Sequence, residues 1–290
     1  RIENPGKLGP LVLSLDGKRL AFLSAEDIHD PADGVLMVSS TDEREPKSLI
    51  PEFEGHVSAA AWQDNNTVMF VADEGVETTF NKIDSDGSGR KTIVPAGKAV
   101  MTSLSLSNDG QRGAFVANTP LHPNEVFYMA HGDAEPKRMT NSNRWLDGIR
   151  FAKQETIEFK ARDGLKLQGV LIHPLDEQPG KRYPLIVYVH GGPEAHEHNG
   201  WITNYSRPGQ LAASRGFAVF YPNYRGSTGR GVKFSKLSQA DEAGKEFDDL
   251  VDAVDHLVGM GLADKAKVGV TGGSYGGYAS AWCATALSDR

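Results

Sequence analysis

The sequence predicts a mixed fold: a partial β-propeller of about three blades, followed by the N-terminal part of an α/β domain. Three observations predict it. The first half repeats, and each repeat reads as four short strands. After residue 150 the pattern changes to buried strands alternating with helices. Close to residue 290, one such strand runs into Gly-x-Ser-x-Gly and then into an Ala-rich helix.

The repeats come first in the chain. Residues 11–24 (LVLSLDGKRLAFLS), 57–72 (VSAAAWQDNNTVMFVA) and 101–117 (MTSLSLSNDGQRGAFVA) align, with starts 46 and 44 residues apart. Each holds two strand-like runs around a turn signal: Asp16-Gly17, Asn65-Asn66 or Asp109-Gly110. Asp-Gly between apolar runs is a strong hairpin signal. A third run follows in each unit (GVLMVSS, TTFNKID, NEVFYMA), then a fourth (PKSLI, RKTIV, PKRMT). Four short strands in about 45 residues is the pattern of a propeller blade. Propellers close with about four to eight blades, so three imply that the propeller is partial.

The second half begins with a hairpin around Asp163-Gly164. YPLIVYVHGGP (residues 183–193) is an almost wholly apolar strand, as expected of a strand covered on both faces. QLAASRG reads as a helix and FAVFYPNYRG as the next strand and its loop. In residues 245–261, Phe247, Leu250, Val251, Val254, Leu257 and Val258 form one apolar stripe of a helix. Asp248, Asp249, Asp252 and Asp255 are expected to form its solvated face. KVGVTGG (residues 267–273) reads as a further buried strand, and a mainly parallel sheet follows from the alternation. The expected domains are 1–150 and 151–290.

Composition narrows the function classes. The formal net charge is −7, which is no footprint for nucleic acid or an anionic membrane. No apolar run approaches the ~18 residues of a membrane-spanning helix. Cys283 is the single cysteine, so neither an internal disulfide nor a cysteine metal cluster can form. The chain starts at Arg1 without a signal-like segment, and the compartment, cytoplasmic or periplasmic, stays open. Homo-oligomerisation is open as well.

The chemistry centres on Ser274. Gly272-Gly273-Ser274-Tyr275-Gly276 fits a nucleophile elbow, where a serine sits on a sharp strand-to-helix turn. Small neighbours let strand and helix approach closely, and the helix start points N–H groups at the reacting centre. An acyl-transfer enzyme also needs oxyanion donors. The N–H of Tyr275 is one expected donor. The other is expected from HGGP (residues 190–193), with Gly192 favoured and Gly191 second. The same loop carries His190, Glu194, His196, Glu197 and His198. The spacing is not His-Glu-x-x-His, so the sequence assigns no metal, and His190 is expected to brace the loop.

HGGP, YPNYRGSTGRG (221–231), FDDLVDAVDHLV and VGVTGGSYGGY occur in this order. Together, and behind a propeller, they resemble the prolyl oligopeptidase family of serine peptidases, whose catalytic domain is an α/β-hydrolase. HGGP is most similar to the acylaminoacyl-peptidase branch and its bacterial relatives. The dipeptidyl-peptidase branch carries a paired glutamate in its propeller, and no Glu-Glu pair occurs here. The resemblance implies Ser274 as nucleophile, Gly192 and Tyr275 as backbone oxyanion donors, and Asn223, Arg225 and Gly226 as the loop near the site. Arg225 is expected to brace that loop, since arginine holds loops through several hydrogen bonds. It further implies hydrolysis of short peptides through an acyl-enzyme, with no cofactor.

In α/β-hydrolases the triad runs Ser, then Asp or Glu, then His. All nine histidines precede Ser274. The expectation is therefore an internal segment of a longer peptidase, cut at both ends and inactive alone. An esterase with the same elbow and a non-catalytic propeller–hydrolase scaffold are the alternative readings.

Overall fold

The computed structural model describes every residue except 1, 5, 43, 44 and 290. The first half forms three four-stranded antiparallel sheets, each a meander in sequence order. The first holds β1 (Leu8–Leu13), β2 (Arg19–Ser24), β3 (Val35–Ser40) and β4 (Lys47–Ser48). The second holds β5 (His56–Trp62), β6 (Thr67–Glu74), β7 (Glu77–Asp84) and β8 (Lys91–Val94). The third holds β9 (Val100–Leu106), β10 (Arg112–Thr119), β11 (His122–Ala130) and β12 (Lys137–Arg138).

Alternation along each strand explains how the sheets stack. In β6, Val68, Phe70 and Ala72 face a core shared with the first sheet, which includes Leu36, Val38 and Trp62. Met69 and Val71 face the opposite core, with Phe115 and Phe127 of the third sheet. A strand apolar on both faces is thus sandwiched, and each buried large side chain contributes roughly 2 kcal/mol. Among the described residues the sheets stay separate and no barrel closes, as in part of a propeller.

The second half is built on one five-stranded sheet. Its strands are β13 (Gln154–Lys160), β14 (Lys166–Ile172), β15 (Tyr183–Val189), β16 (Ala218–Asn223) and β17 (Ala263–Gly272), in the order β13-β14-β16-β15-β17. β13, β14 and β16 pair antiparallel; β16, β15 and β17 pair parallel. On β15, Leu185, Val187 and Val189 face a core closed by helices α3 (Lys245–Gly259) and α4 (Tyr275–Ala286). Tyr188 on the other face joins a core with Ala213 of the short helix α1 (Gly209–Ala213). A further short helix, α2 (Val232–Ser235), precedes α3.

Two expectations need correction. Asp249 does not lie on a solvated face of α3. It is fully buried against Arg225, while Asp248 and Asp252 pair with Arg162. The helix therefore carries a second, ion-paired contact face beside its apolar stripe. Nor is β17 a buried strand. Most of its residues are exposed or half-exposed, because among the described residues it lies at the edge of the sheet and pairs only with β15.

Candidate active site

Ser274 stands between β17 and α4, with φ +53° and ψ −119°. A non-glycine residue there is strained by on the order of 1–3 kcal/mol. The surroundings hold it in place. The carbonyl of Ser274 accepts the N–H groups of Gly277 (2.9 Å) and Tyr278 (3.1 Å), which starts α4. A Cβ on Gly272 would lie 2.2 Å from the carbonyl oxygen of Val189. The elbow is therefore pressed onto the end of β15, and only glycine fits there.

The glycine loop after β15 lies directly against the serine. A Cβ on Gly191 would come within 3.3 Å of Ser274 Cβ. Gly192 has φ +123°, and a Cβ there would meet the Glu194 nitrogen at 2.4 Å. The loop thus needs both glycines, one for close approach and one for its backbone angle.

His190 is buried behind this loop. Its ring stacks on Tyr224 with centroids 4.3 Å apart, and the Tyr224 hydroxyl donates to the His190 carbonyl (3.1 Å). Nδ1 lies 2.9 Å from the Gly191 carbonyl oxygen, and Nε2 lies 2.9 Å from Ser227 Oγ. Burial pushes the imidazole down to about 4, so it is neutral near pH 7. Nδ1–H then donates to Gly191, and Nε2 faces the Ser227 hydroxyl, which also reaches the Tyr224 carbonyl oxygen at 2.7 Å. Both ring nitrogens are occupied.

Asn223 and Arg225 hold the flanking segments. Asn223 accepts from the Glu197 N–H (2.8 Å) and donates to the Glu197 carbonyl (2.9 Å). Arg225 donates to Asp249 from Nε and Nη2, the latter at 2.7 Å, and to Asp163 from Nη1 at 2.8 Å. Its own backbone N–H also donates to Asp249 (2.9 Å). The side chain is thereby consumed in fixing loop to helix. Tyr275 follows Ser274 and donates its hydroxyl to Glu246 (2.8 Å). Glu246 is fully buried, and burial lifts its carboxyl above the ordinary range.

Tyr224, Ser227, Glu246 and Asp249 were not visible as site residues from sequence, and Glu197 was visible only as one of several polar residues of the glycine loop. Each acts through a partner distant in the chain. Glu246 and Asp249 left a trace only as acids of α3, and that signal fits a helix dipole or a solvated face equally well.

Among the described residues, no histidine hydrogen-bonds to Ser274 Oγ. The arrangement supplies an exposed, strained serine, a glycine loop packed on it, and a rigid support for both.

Residues 203–290 match the model of the prolyl oligopeptidase family. Over 187 residues the chain is 34% identical to an uncharacterized peptidase, YuxL, of Bacillus subtilis (strain 168), covering 64% of this chain and 28% of that protein. Dipeptidyl aminopeptidase BIII of Pseudoxanthomonas mexicana is 29% identical over 285 residues, covering 92% of this chain and 39% of that protein. The solved acylaminoacyl peptidase of Pyrococcus horikoshii has a TM-score of 0.75 at 25% identity, covering 92% of this chain and 41% of that one. A putative dipeptidyl aminopeptidase IV from Bacteroides ovatus shares the fold, with a TM-score of 0.77 over 99% of this chain and 44% of that one. The chain thus spans well under half the length of these relatives, which are peptidases. The resemblance to the family holds.

Proposed function

We propose that this chain, which resembles the prolyl oligopeptidase family, carries the nucleophile and oxyanion half of a serine peptidase for short peptides. In this reading residues 1–150 form the partial propeller and 151–290 the first part of an α/β-hydrolase domain. Ser274 Oγ attacks the scissile carbonyl and forms an acyl-enzyme, which water then hydrolyses. The backbone N–H groups of Gly192 and Tyr275 stabilise the oxyanion, each worth on the order of 3 kcal/mol in the transition state. His190, Asn223 and Arg225 brace the loops that aim these donors. The chemistry calls on no cofactor.

The observation that carries the reading is Ser274 at φ +53° on a strand-to-helix turn, with Gly191 packed against its Cβ. A base must come within about 3 Å of Oγ. Among the described residues no histidine hydrogen-bonds to Oγ, and the ring of His190 is engaged with Gly191 and Ser227. The 290-residue chain alone is therefore expected to turn over far more slowly than a complete peptidase.

Chemical rescue tests this. The chain is incubated with an activated p-nitrophenyl ester of a blocked amino acid, with and without added imidazole. Intact-mass analysis should show one acyl adduct, enhanced by imidazole, mapped to Ser274 and absent from Ser274→Ala. An adduct at another residue, or none, would overturn the assignment. Fast peptide turnover without imidazole, lost in Ser274→Ala, would keep the nucleophile and refute the missing base.

A further inference from the structure

Residues 195–198, which follow the glycine loop, belong to no helix or strand, and their side chains part to two sides. Glu197 turns one way, to Arg207. His196 and His198 turn the other, toward β6 of the second sheet. There Asp73 meets them. His196 Nε2 and His198 Nε2 lie 2.9 Å apart. His198 Nε2 lies 3.1 Å from Asp73 Oδ1, and His196 Nε2 lies 3.8 Å from Asp73 Oδ2.

We propose that Asp73, His196 and His198 form a site for a divalent transition-metal ion of the zinc or cobalt kind, which clamps the segment behind the glycine loop to the second sheet. This revises the sequence assignment of no metal. His-x-His alone could not reveal it, because the third ligand comes from a different sheet, far away in the chain.

The donor set and its spacing carry the inference. Two imidazoles and a carboxylate suit zinc, with further positions open to water. Ligand atoms around a tetrahedral ion with bonds near 2.0–2.2 Å are about 3.3 Å apart. The two imidazole nitrogens are 2.9 Å apart, and Asp73 faces them with Oδ1 3.1 Å from His198 and Oδ2 3.8 Å from His196. With one ligand atom per residue all three lie within 4.8 Å, and a turn of the carboxylate presents one oxygen to both. The cluster is sheltered: the side chains of His196 and Asp73 are 6% and 7% exposed, and that of His198 is 27% exposed. His198 thus gives the ion a route in and a water position.

An outer support is present as well. His196 Nδ1 lies 2.7 Å from Thr228 Oγ1. If Nδ1–H donates to Thr228, Nε2 of His196 presents a lone pair, and the single Nε2–H of His198 serves both His196 and Asp73. The reverse tautomer of His196 would set a His198 lone pair against a carboxylate oxygen. A ligating histidine oriented by a partner on its other nitrogen is the usual support of metal sites. Binding the ion then needs one internal change: the proton of His198 moves from Nε2 to Nδ1, and none is lost. The backbone already joins these elements, through Gly75 N–H to Gly229 O (2.7 Å) and Asn199 N–H to Val76 O (2.7 Å). The site does not depend on the peptidase reading.

The test uses the tag-free 290-residue chain and Co²⁺ or Zn²⁺ alone. One equivalent of Co²⁺ should give visible ligand-field bands that Zn²⁺ displaces. Asp73→Asn and His198→Gln should abolish them. Thr228→Val should weaken affinity by ~10–100-fold, as expected for an outer support. His29→Gln, an exposed histidine elsewhere, should change nothing. Hydrogen exchange should slow on addition of Zn²⁺ both in residues 195–200 and in β6. Absence of bands at stoichiometric Co²⁺, or bands that persist in both ligand variants, would overturn the site. Protection on one side only would overturn the clamp. Should a ligand variant fail to fold, the unsubstituted chain and Thr228→Val decide the question.

Discussion

A methyl group on the α-carbon of Gly276 would lie 2.0 Å from the carbonyl oxygen of Val189. The start of α4 and the end of β15 therefore touch backbone to backbone, and Ser274 is held at that contact. Neither backbone can yield without moving the serine. Gly276→Ala is expected to cost ~1–3 kcal/mol by overpacking and to suppress acylation of Ser274. Gly273 has open space where its Cβ would be, so Gly273→Ala should be nearly silent in stability. Urea unfolding of both variants, with the acyl-adduct assay, checks this. Equal effects from the two would contradict the close contact.

The strain at Ser274 is itself measurable. With φ +53° and ψ −119°, the position suits glycine and penalises any residue with a Cβ. Ser274→Ala keeps the Cβ and so keeps the strain. Ser274→Gly releases it, at the cost of a more flexible unfolded chain. The glycine variant is expected to be more stable than the alanine variant by about 1 kcal/mol, a few degrees in Tm. A glycine variant no more stable than the alanine one would show a relaxed elbow.

The elbow and the glycine loop were legible because their constraints are local. Gly272, Gly276 and Gly191 mark close approaches that leave a mark in the sequence itself. The four-strand repeats were legible for the same reason, since alternation and Asp-Gly turns are short-range signals. The supporting residues were not. Asp249 looked like one acid among four on α3, and only folding sets it against Arg225. Asp73 lies on a strand whose pattern speaks only of sheet packing, yet it faces two histidines of the loop. Period and spacing report which face a residue takes, not which distant residue it will meet.

Arg225 and Asp249 form a buried pair, and its parts should behave unequally. Arg225→Met leaves a buried carboxylate without its partner, which typically costs ~3–5 kcal/mol. Adding Asp249→Leu removes that charge and should recover most of the loss. Recovery stays incomplete, because the backbone N–H of residue 225 loses its acceptor at 2.9 Å, worth about 1 kcal/mol. Unfolding free energies of the two single variants and the double one close the cycle. Strict additivity would mean that the two side chains are not coupled.

His190 makes stability depend on pH in a definite direction. Burial lowers its imidazole from 6.5 to about 4 in the folded chain. Between those values the unfolded chain binds a proton that the folded chain refuses. The stabilisation is therefore complete above pH 6.5 and is lost as pH falls toward about 4. Across that window the loss is on the order of 3 kcal/mol. Other groups titrate nearby, with Glu197 and Glu246 raised by burial, so the variant comparison must isolate the histidine. His190→Gln should narrow the gap to the unsubstituted chain as pH drops from about 7 to about 4.5, because glutamine has no proton to refuse. Urea unfolding of both proteins at the two pH values measures that gap. A gap that stays constant would mean that His190 titrates as it does in the unfolded chain and is not sealed behind the glycine loop.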